Sequence, residues 1–310
     1  MNIYHGIEDL EPLPYAVVTS GTFDGVHMGH QKILGRLKEI ALQNQGETVL
    51  ITYWPHPRLV LYPEQNEVWL LNTFEEKAEL LREQGINHLL RIPFTREFAA
   101  MSSHEFIKKI LVDKIGTKKL VIGYDHRFGK NREGSFEHLK KNANIYGFEV
   151  EEIPKQEVDH VGVSSTKIRA ALLAGDIESG NELLGRDYSI AGRVVKGEKI
   201  GRMIGFPTAN IEIDSQHKLV PADGSYAVLI GYAGKICKGM LNIGYRPTVG
   251  GKVKTIEVHI FDFKKDIYGD SISLYFKHKI RDEIKFDDVE ALKVQLAKDK
   301  EKASSLLQKH

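Results

Sequence analysis

The chain reads as a doubly wound parallel α/β sheet followed by an antiparallel β-barrel or sandwich with a C-terminal helix. Three observations predict this. The length of 310 residues sets a prior of about two domains. Strand and helix patterns alternate through residue 184, as in βαβ units. Beyond residues 184–188 the texture changes to short alternating strands with turn glycines. The expected domains are 1–184 and 185–310.

The elements follow in order. Tyr15 to Ser20 is an apolar strand ending at Gly21, and Ile33, Leu34, Leu37, Ile40 and Ala41 then share one helical face. Thr48 to Tyr53 reads as a strand and Phe74 to Glu83 as a helix. His88 to Ile92 and Leu120 to Ile122 are strands, with Phe106, Ile110 and Leu111 marking a helix between them. Phe148 to Ile153 is a further strand, and a helix begins near Ser164. In the second part, Ser225 to Gly231, Lys235 to Leu241, Thr255 to Phe261 and Ser271 to Phe276 read as strands. Phe286 to Leu307 is an amphipathic helix placed to cover a sheet edge or barrel mouth.

Composition narrows the class. Apolar residues are 42% and charged residues 27%, which fits a globular protein. The single cysteine, Cys237, excludes an intrachain disulfide and a cysteine-built metal cluster, and fits a reducing cytoplasm. Met1 to Leu10 carries Glu8 and Asp9 and lacks the apolar core of a secretory signal. No apolar run approaches the ~18 residues of a membrane span. Net charge is +1, divided as −4 through Arg186 and +5 beyond it. That balance leaves no nucleic-acid footprint. A cytoplasmic protein without membrane or nucleic-acid partner is expected; oligomeric state is not legible.

The densest signal of the first part is Gly21-Thr22-Phe23-Asp24-Gly25-Val26-His27-Met28-Gly29-His30, set between the first strand and the first helix. Glycines there allow a tight turn and close approach to a ligand. The helix N-terminus offers unpaired N–H groups and a positive dipole end to phosphate, and His27 and His30 add two donors. Pro55-His56-Pro57 follows the second strand and reads either as a stiff loop or as one that aims His56 into the same crevice. Gly123-Tyr124-Asp125-His126-Arg127 follows a later strand. Asp125 suits an adenine amino group or ribose hydroxyl and Arg127 suits phosphate; an ordinary Asp–Arg surface pair fits the same residues. Ser164, Thr166 and Arg169 open a helix, where hydroxyls serve equally as caps or as a phosphate cradle.

In the second part a strand runs into a glycine-spaced loop holding Gly197, Gly201 and Gly205, then into Pro207-Thr208-Ala209-Asn210. Such a loop either wraps phosphates with its N–H groups or simply turns. No Walker A string occurs. Thr208 and Asn210 offer hard oxygens of the kind Mg²⁺ takes beside substrate phosphates. In Thr255 to Ile260, alternation puts Glu257 on the face opposite Ile256, Val258 and Ile260. From pattern alone that is a solvated outer face.

Together these motifs resemble the prokaryotic bifunctional riboflavin kinase/FMN adenylyltransferase family, whose first half belongs to the nucleotidylyltransferases carrying a His-x-Gly-His motif, here His27-Met28-Gly29-His30. The resemblance covers nearly the whole chain. It implies a nucleotidylyltransferase-like parallel sheet and a riboflavin kinase-like six-stranded barrel. It implies two reactions: riboflavin with ATP to FMN and ADP in the second domain, then FMN with ATP to FAD and pyrophosphate in the first, both with Mg²⁺. By the same resemblance His27, His30 and Glu257 are catalytic. Gly21, Phe23, Asp24, Gly29, Asp125, Arg127, Ser164, Thr166, Arg169, Gly197, Gly201 and Gly205 hold ATP. His56, Asn242 and Arg281 lie on the flavin side, and Thr208 and Asn210 hold the metal. His126 departs from the pattern, standing where an aromatic residue is expected. Adenylyl transfer to another phosphate acceptor would leave the Gly205–Asn210 string idle. A nucleotide-responsive RNA-binding regulator would want a basic stripe that this chain lacks.

Overall fold

A computed structural model describes residues 1–64, 68–124, 127–130, 133–154, 162–197, 200–248 and 251–309. Asp125 and His126, and Glu198 and Lys199 of the glycine loop, lie outside the described residues. The chain forms two compact units, Met1–Ser165 and Thr166–His310.

The first unit is built on six parallel strands: β1 (Asn2–Tyr4), β2 (Ala16–Ser20), β3 (Glu47–Trp54), β4 (His88–Pro93), β5 (Thr117–Gly123) and β6 (Glu149–Ile153). Their order is β1-β4-β3-β2-β5-β6, with every neighbouring pair parallel. Crossovers require intervening helices. These are α1 (Met28–Gln43), α2 (Pro57–Leu61), α3 (Phe74–Glu83), α4 (Arg96–Ala99), α5 (Ser103–Glu105), which continues as a π-helix over Phe106–Ile115, and α6 (Phe136–Tyr146).

Both sheet faces are covered. Val18, Ile51, Leu90 and Ile122 pack with Phe106, Ile110 and Leu111 on one side. Val17, Leu50, Leu89 and Val121 pack with Leu34, Leu37 and Ile40 of α1 on the other. Successive strand residues are thus both buried, which is why the strands read as continuous apolar runs. Each such side chain contributes roughly 1.5–3 kcal/mol on burial. α3 begins with a capping box, Thr73 and Glu76 each bonding the other's backbone, a motif that satisfies two unpaired N–H groups of the first turn.

The second unit is a closed antiparallel barrel, resolving the barrel-or-sandwich choice. Its strands are β7 (Tyr188–Val195), β8 (Ala209–Glu212), β9 (Gly224–Tyr232), β10 (Lys235–Thr248), β11 (Gly251–Ile260) and β12 (Ser271–Arg281), closed in the order β10-β11-β8-β7-β12-β9. Leu241 faces Val258 and Tyr226, and Leu274 faces Ile190 and Ile230, so these rows fill the interior. Helices α7 (Ser165–Ala174), α8 (Ile177–Leu184) and α9 (Ile200–Met203) precede β8, and α10 (Val289–Leu306) ends the unit. On the outer face, Ala227, Met240 and Ile280 meet Ala303 and Leu307. α10 therefore covers the outer barrel wall rather than the expected edge or mouth, and it starts at Val289 under an Asp288 cap rather than at Phe286.

The second compact unit takes in residues 166–184 in addition to the expected 185–310. The physical reason lies in α8. Asn181 Nδ2 donates to the Phe276 carbonyl at 2.8 Å and Asn181 Oδ1 accepts from Tyr188 N at 2.7 Å. A helix placed by texture in the first part is thereby tied to β7 and β12 of the barrel.

Candidate active sites

In the first unit β2 has β3 on one side and β5 on the other, so the strand order reverses there. Ligands of open parallel sheets bind outside the carboxyl ends of the strands at such a point. A cleft of about 1140 Å³ opens there, lined among others by Ser20, Gly21, Phe23, His30, Tyr53, Phe94, Gly123 and Arg127.

His27 is the N-cap of α1, its Nδ1 accepting from His30 N at 3.4 Å. The two imidazoles stack with centroids 3.7 Å apart, and the Phe23 ring sits 4.7 Å from His30. No acidic residue lies in the first turn of α1, so nothing there offsets the positive dipole end. The loop before it is unusual in backbone: Phe23 (φ 46°), Gly25 (φ 88°) and Val26 (φ 38°) all lie in the left-handed region. A Cβ on Gly21 would stand 3.1 Å from the Phe23 ring, so the glycine admits that packing. Gly29 is buried within α1.

Asp24, expected among the ATP contacts, turns its carboxylate into the fold. It is 2% exposed and accepts from Leu71 N at 3.0 Å and Asn72 N at 3.3 Å. His56 caps α2 and accepts from Arg58 N at 3.2 Å; its neighbours Pro57 and Arg58 line the cleft. Ser165 Oγ donates to the Asp24 carbonyl at 2.9 Å, which brings the Ser164–Ser165 segment beside the histidine loop. Thr166 and Arg169 lie on the first turns of α7, counted with the second unit.

Two features went unread in the sequence. One is an aromatic wall in the cleft: Phe98 stands 5.8 Å from Tyr53, 5.8 Å from Phe94 and 6.3 Å from Phe106, which in turn meets Phe128 at 5.5 Å. Burial pushes the Tyr53 hydroxyl up to about 12. The other is Lys77, 2% exposed on the inner face of α3, where burial brings its amine down to about 8. A buried Lys on an apolar helix face was the available signal.

In the barrel, strand register sets the second site. Asn210, Glu257, Asn242, Ser225 and Arg281 are successive cross-strand partners over β8, β11, β10, β9 and β12. Residues directly opposite share a face, here the outer one that alternation predicted for Glu257. The face is nonetheless covered. Thr208 Oγ1 donates to Glu257 Oε2 at 3.2 Å, and His259 Nδ1 donates to the Pro207 carbonyl at 2.7 Å. Phe206 packs edge-on to His259. Glu257 is half-buried as a result. A cleft of about 410 Å³ opens beside Thr208, with Arg202, Pro207, Ile267 and Tyr268 in its lining.

The glycine loop is built around these residues. A Cβ on Gly197 would lie 2.1 Å from Asn210 Nδ2, and one on Gly201 would lie 2.3 Å from the Phe206 carbonyl oxygen. Gly205 has φ 85°. Glu283, also unassigned from sequence, shares its electrostatic neighbourhood with three expected site residues. Burial raises its carboxyl, opposed by a hydrogen bond with Asn242 and by the Arg281 charge; Asp223 and Glu257 add to the rise. Arg281 itself is clamped to Asp299 of α10.

The FAD synthetase family model matches residues 11–167 and the riboflavin kinase family model residues 184–307. A bifunctional riboflavin kinase/FMN adenylyltransferase of Pseudomonas fluorescens is 37% identical over 99% of this chain and 98% of its own. One of Escherichia coli (strain K12) is 38% identical over 96% of each chain. A crystal structure of a Streptococcus pneumoniae protein named as a macrolide-efflux protein superposes with a TM-score of 0.87 at 32% identity, covering 96% of each chain. In the present chain no helix among the described residues is long and apolar enough to cross a membrane. Two family models in tandem and relatives matched end to end place this chain in the bifunctional riboflavin kinase/FMN adenylyltransferase family.

Proposed function

We propose that the chain makes FAD from riboflavin in two ATP-dependent steps, residues 185–310 forming FMN and residues 1–184 forming FAD. The observation that carries this reading is the presence, in one chain, of an aromatic-walled cleft headed by a histidine pair and a barrel row centred on Glu257.

In the kinase step the riboflavin 5′-hydroxyl attacks the γ-phosphorus of ATP, its proton passes to Glu257, and ADP leaves. The Thr208 hydroxyl, donating to the Glu257 carboxylate, ties it to the loop and aims it. Gly197, Gly201 and Gly205 let the loop backbone approach the ATP phosphates. Asn242 and Arg281 serve the flavin side. Thr208 Oγ1, the Asn210 amide oxygen and Glu257 are neighbouring hard-oxygen donors, Asn210 beneath Gly197 and Thr208 near Gly201, and such donors fit Mg²⁺ held together with ATP phosphates. Bound there, Mg²⁺ would neutralise phosphate charge.

In the second step an FMN phosphate oxygen attacks the α-phosphorus of ATP and pyrophosphate leaves. No covalent nucleophile is needed; positioning and charge stabilisation suffice. His27, His30 and the α1 N-terminus face the developing charge. Gly21, Phe23, Asp24 and Gly29 shape the loop. Asp125, Arg127, Ser164, Thr166 and Arg169 are the motif residues assigned to ATP. His56 and the aromatic wall are assigned to the flavin. A single cysteine fits a cytoplasmic setting.

The test is a chromatographic time course with riboflavin, ATP and Mg²⁺. Wild type forms FMN and then FAD. Glu257→Ala stops at riboflavin but still converts supplied FMN. The His27→Ala/His30→Ala double variant stops at FMN. A wild type that converts neither flavin overturns the reading.

A further inference from the structure

We infer that Lys77 is a positioning residue for adenylyl transfer, acting through the loop that carries His27 and His30. The inference rests on the assignment of that loop to the FMN-to-FAD step. Residues 71–77, the lead-in and first turn of α3, form a strap that holds the loop at two points.

Phe23 and the β-branched Val26 both adopt left-handed φ values of 46° and 38°, a conformation that L-residues with a Cβ disfavour. Such a conformation persists only where the surroundings over-determine it. Here they do so on either side of Phe23. At Thr22, Lys77 Nζ donates to the carbonyl at 2.7 Å, and Thr52 Oγ1 donates to the same carbonyl at 3.3 Å. Lys77 Nζ also lies 3.4 Å from Thr52 Oγ1. At Asp24, the carboxylate accepts from the N–H groups of Leu71 and Asn72. Between the two clamps the Phe23 ring presses on His30.

The identity of residue 77 is hard to explain by packing. It occupies the buried face of α3 with Phe74, Ala78 and Leu81. An apolar side chain would fit that face without taking a cation out of water. The ammonium instead reaches past the Trp54 ring, 5.4 Å from its centroid, to a single loop carbonyl. The first turn of α3, which carries Lys77, is closed by its capping box at Thr73 and Glu76. The Lys77 contacts named above go to Thr22, Thr52 and Trp54, not to a group assigned to substrate; hence a positioning role rather than a catalytic one.

The experiment measures both activities of the full chain in Lys77→Met and Thr52→Val. A loop displaced by about an ångström costs on the order of a hundredfold in rate. Lys77→Met is expected to lower kcat for FAD formation from FMN by about tenfold to a hundredfold and to raise KM for ATP. FMN binding, read by quenching of flavin fluorescence, and riboflavin phosphorylation are expected to stay within about twofold. Thr52→Val, which removes only the supporting hydroxyl, is expected to shift the same two parameters by a few-fold. The inference is overturned if Lys77→Met keeps kcat and KM for ATP within about twofold. It is equally overturned if FMN binding is lost in parallel in either variant, since that is the mark of a general structural role. A wild type that makes no FAD overturns the functional reading beneath it, an outcome distinguishable from both.

Discussion

Removing the Asp299 carboxylate should loosen the barrel wall and leave the first unit untouched. Asp299 lies on α10 with its side chain 2% exposed, and Arg281 at the end of β12 is 15% exposed. Arg281 Nε reaches both carboxylate oxygens, at 3.2 and 3.0 Å, and Nη2 reaches one at 2.7 Å. Gln295 Nε2 adds a bond at 2.8 Å and Ser225 Oγ one at 3.4 Å. Asp299→Ala leaves a guanidinium and two neutral donors without their acceptor in a covered site. Breaking a buried pair by removing one partner costs roughly 3–5 kcal/mol, a large share of the roughly 5–15 kcal/mol that holds a domain together. At about 1.4 kcal/mol per decade, amide exchange in β9, β12 and α10 should speed up by a hundredfold or more wherever it follows opening of that wall. Both tryptophans, Trp54 and Trp69, lie in the first unit. Their fluorescence transition in urea is therefore an internal control and should not move. Arg281→Leu/Asp299→Leu should recover most of the loss, since apolar replacement of a buried pair is often neutral or better. Exchange within tenfold of wild type in Asp299→Ala, or a double variant no better than the single one, would refute the reasoning.

Three further outcomes are expected. Gly197→Ala puts a Cβ 2.1 Å from Asn210 Nδ2, so kinase KM for ATP should rise about tenfold while FAD formation from supplied FMN holds, both read by steady-state kinetics; the estimate takes one displaced ligand as about 1.4 kcal/mol. Phe98→Ala removes the ring that joins Tyr53, Phe94 and Phe106. FMN should then bind about tenfold more weakly to the adenylyltransferase half, read by titration, with KM for ATP unchanged. Lys77 has an ordinary amine value of 10.5 when unfolded and about 8 when folded. Between those values the unfolded chain binds the extra proton, so this group makes stability rise with pH there and the gain is lost as pH falls through 8. Lys77→Met should remove up to about 3 kcal/mol of that rise in the first unit's urea stability between pH 8 and 10.5.

Much of the candidate site was legible as motif because it sits within single short strings. Gly21 to His30 carries its own turn, cap and donors, and the strand–helix alternation around it says which end of the sheet it occupies. Alternation along Thr255 to Ile260 likewise put Glu257 on the outer face, where it is found. What alternation could not supply is the cover over that face, which comes from Phe206 to Thr208 and from α10. The α8 helix shows the same limit from another side. It falls within the 1–184 part drawn from texture, yet Asn181 binds it to Tyr188 and Phe276.

The sequence by itself determined most of the longer elements, the parallel and antiparallel halves, and the candidate residues for phosphate and proton handling. These follow from periodicity, capping and turn chemistry, all of which act over a few neighbouring residues. Only the tertiary structure decided the aromatic wall, whose Tyr53, Phe94, Phe98, Phe106 and Phe128 come from separate segments. It also decided the strap, in which Lys77 meets a carbonyl at Thr22, and the latch between Arg281 and Asp299. Each depends on parallel crossovers or barrel closure bringing distant side chains within reach. A lone Lys in a helix or Asp near a terminus carries no local mark of the partner it will meet.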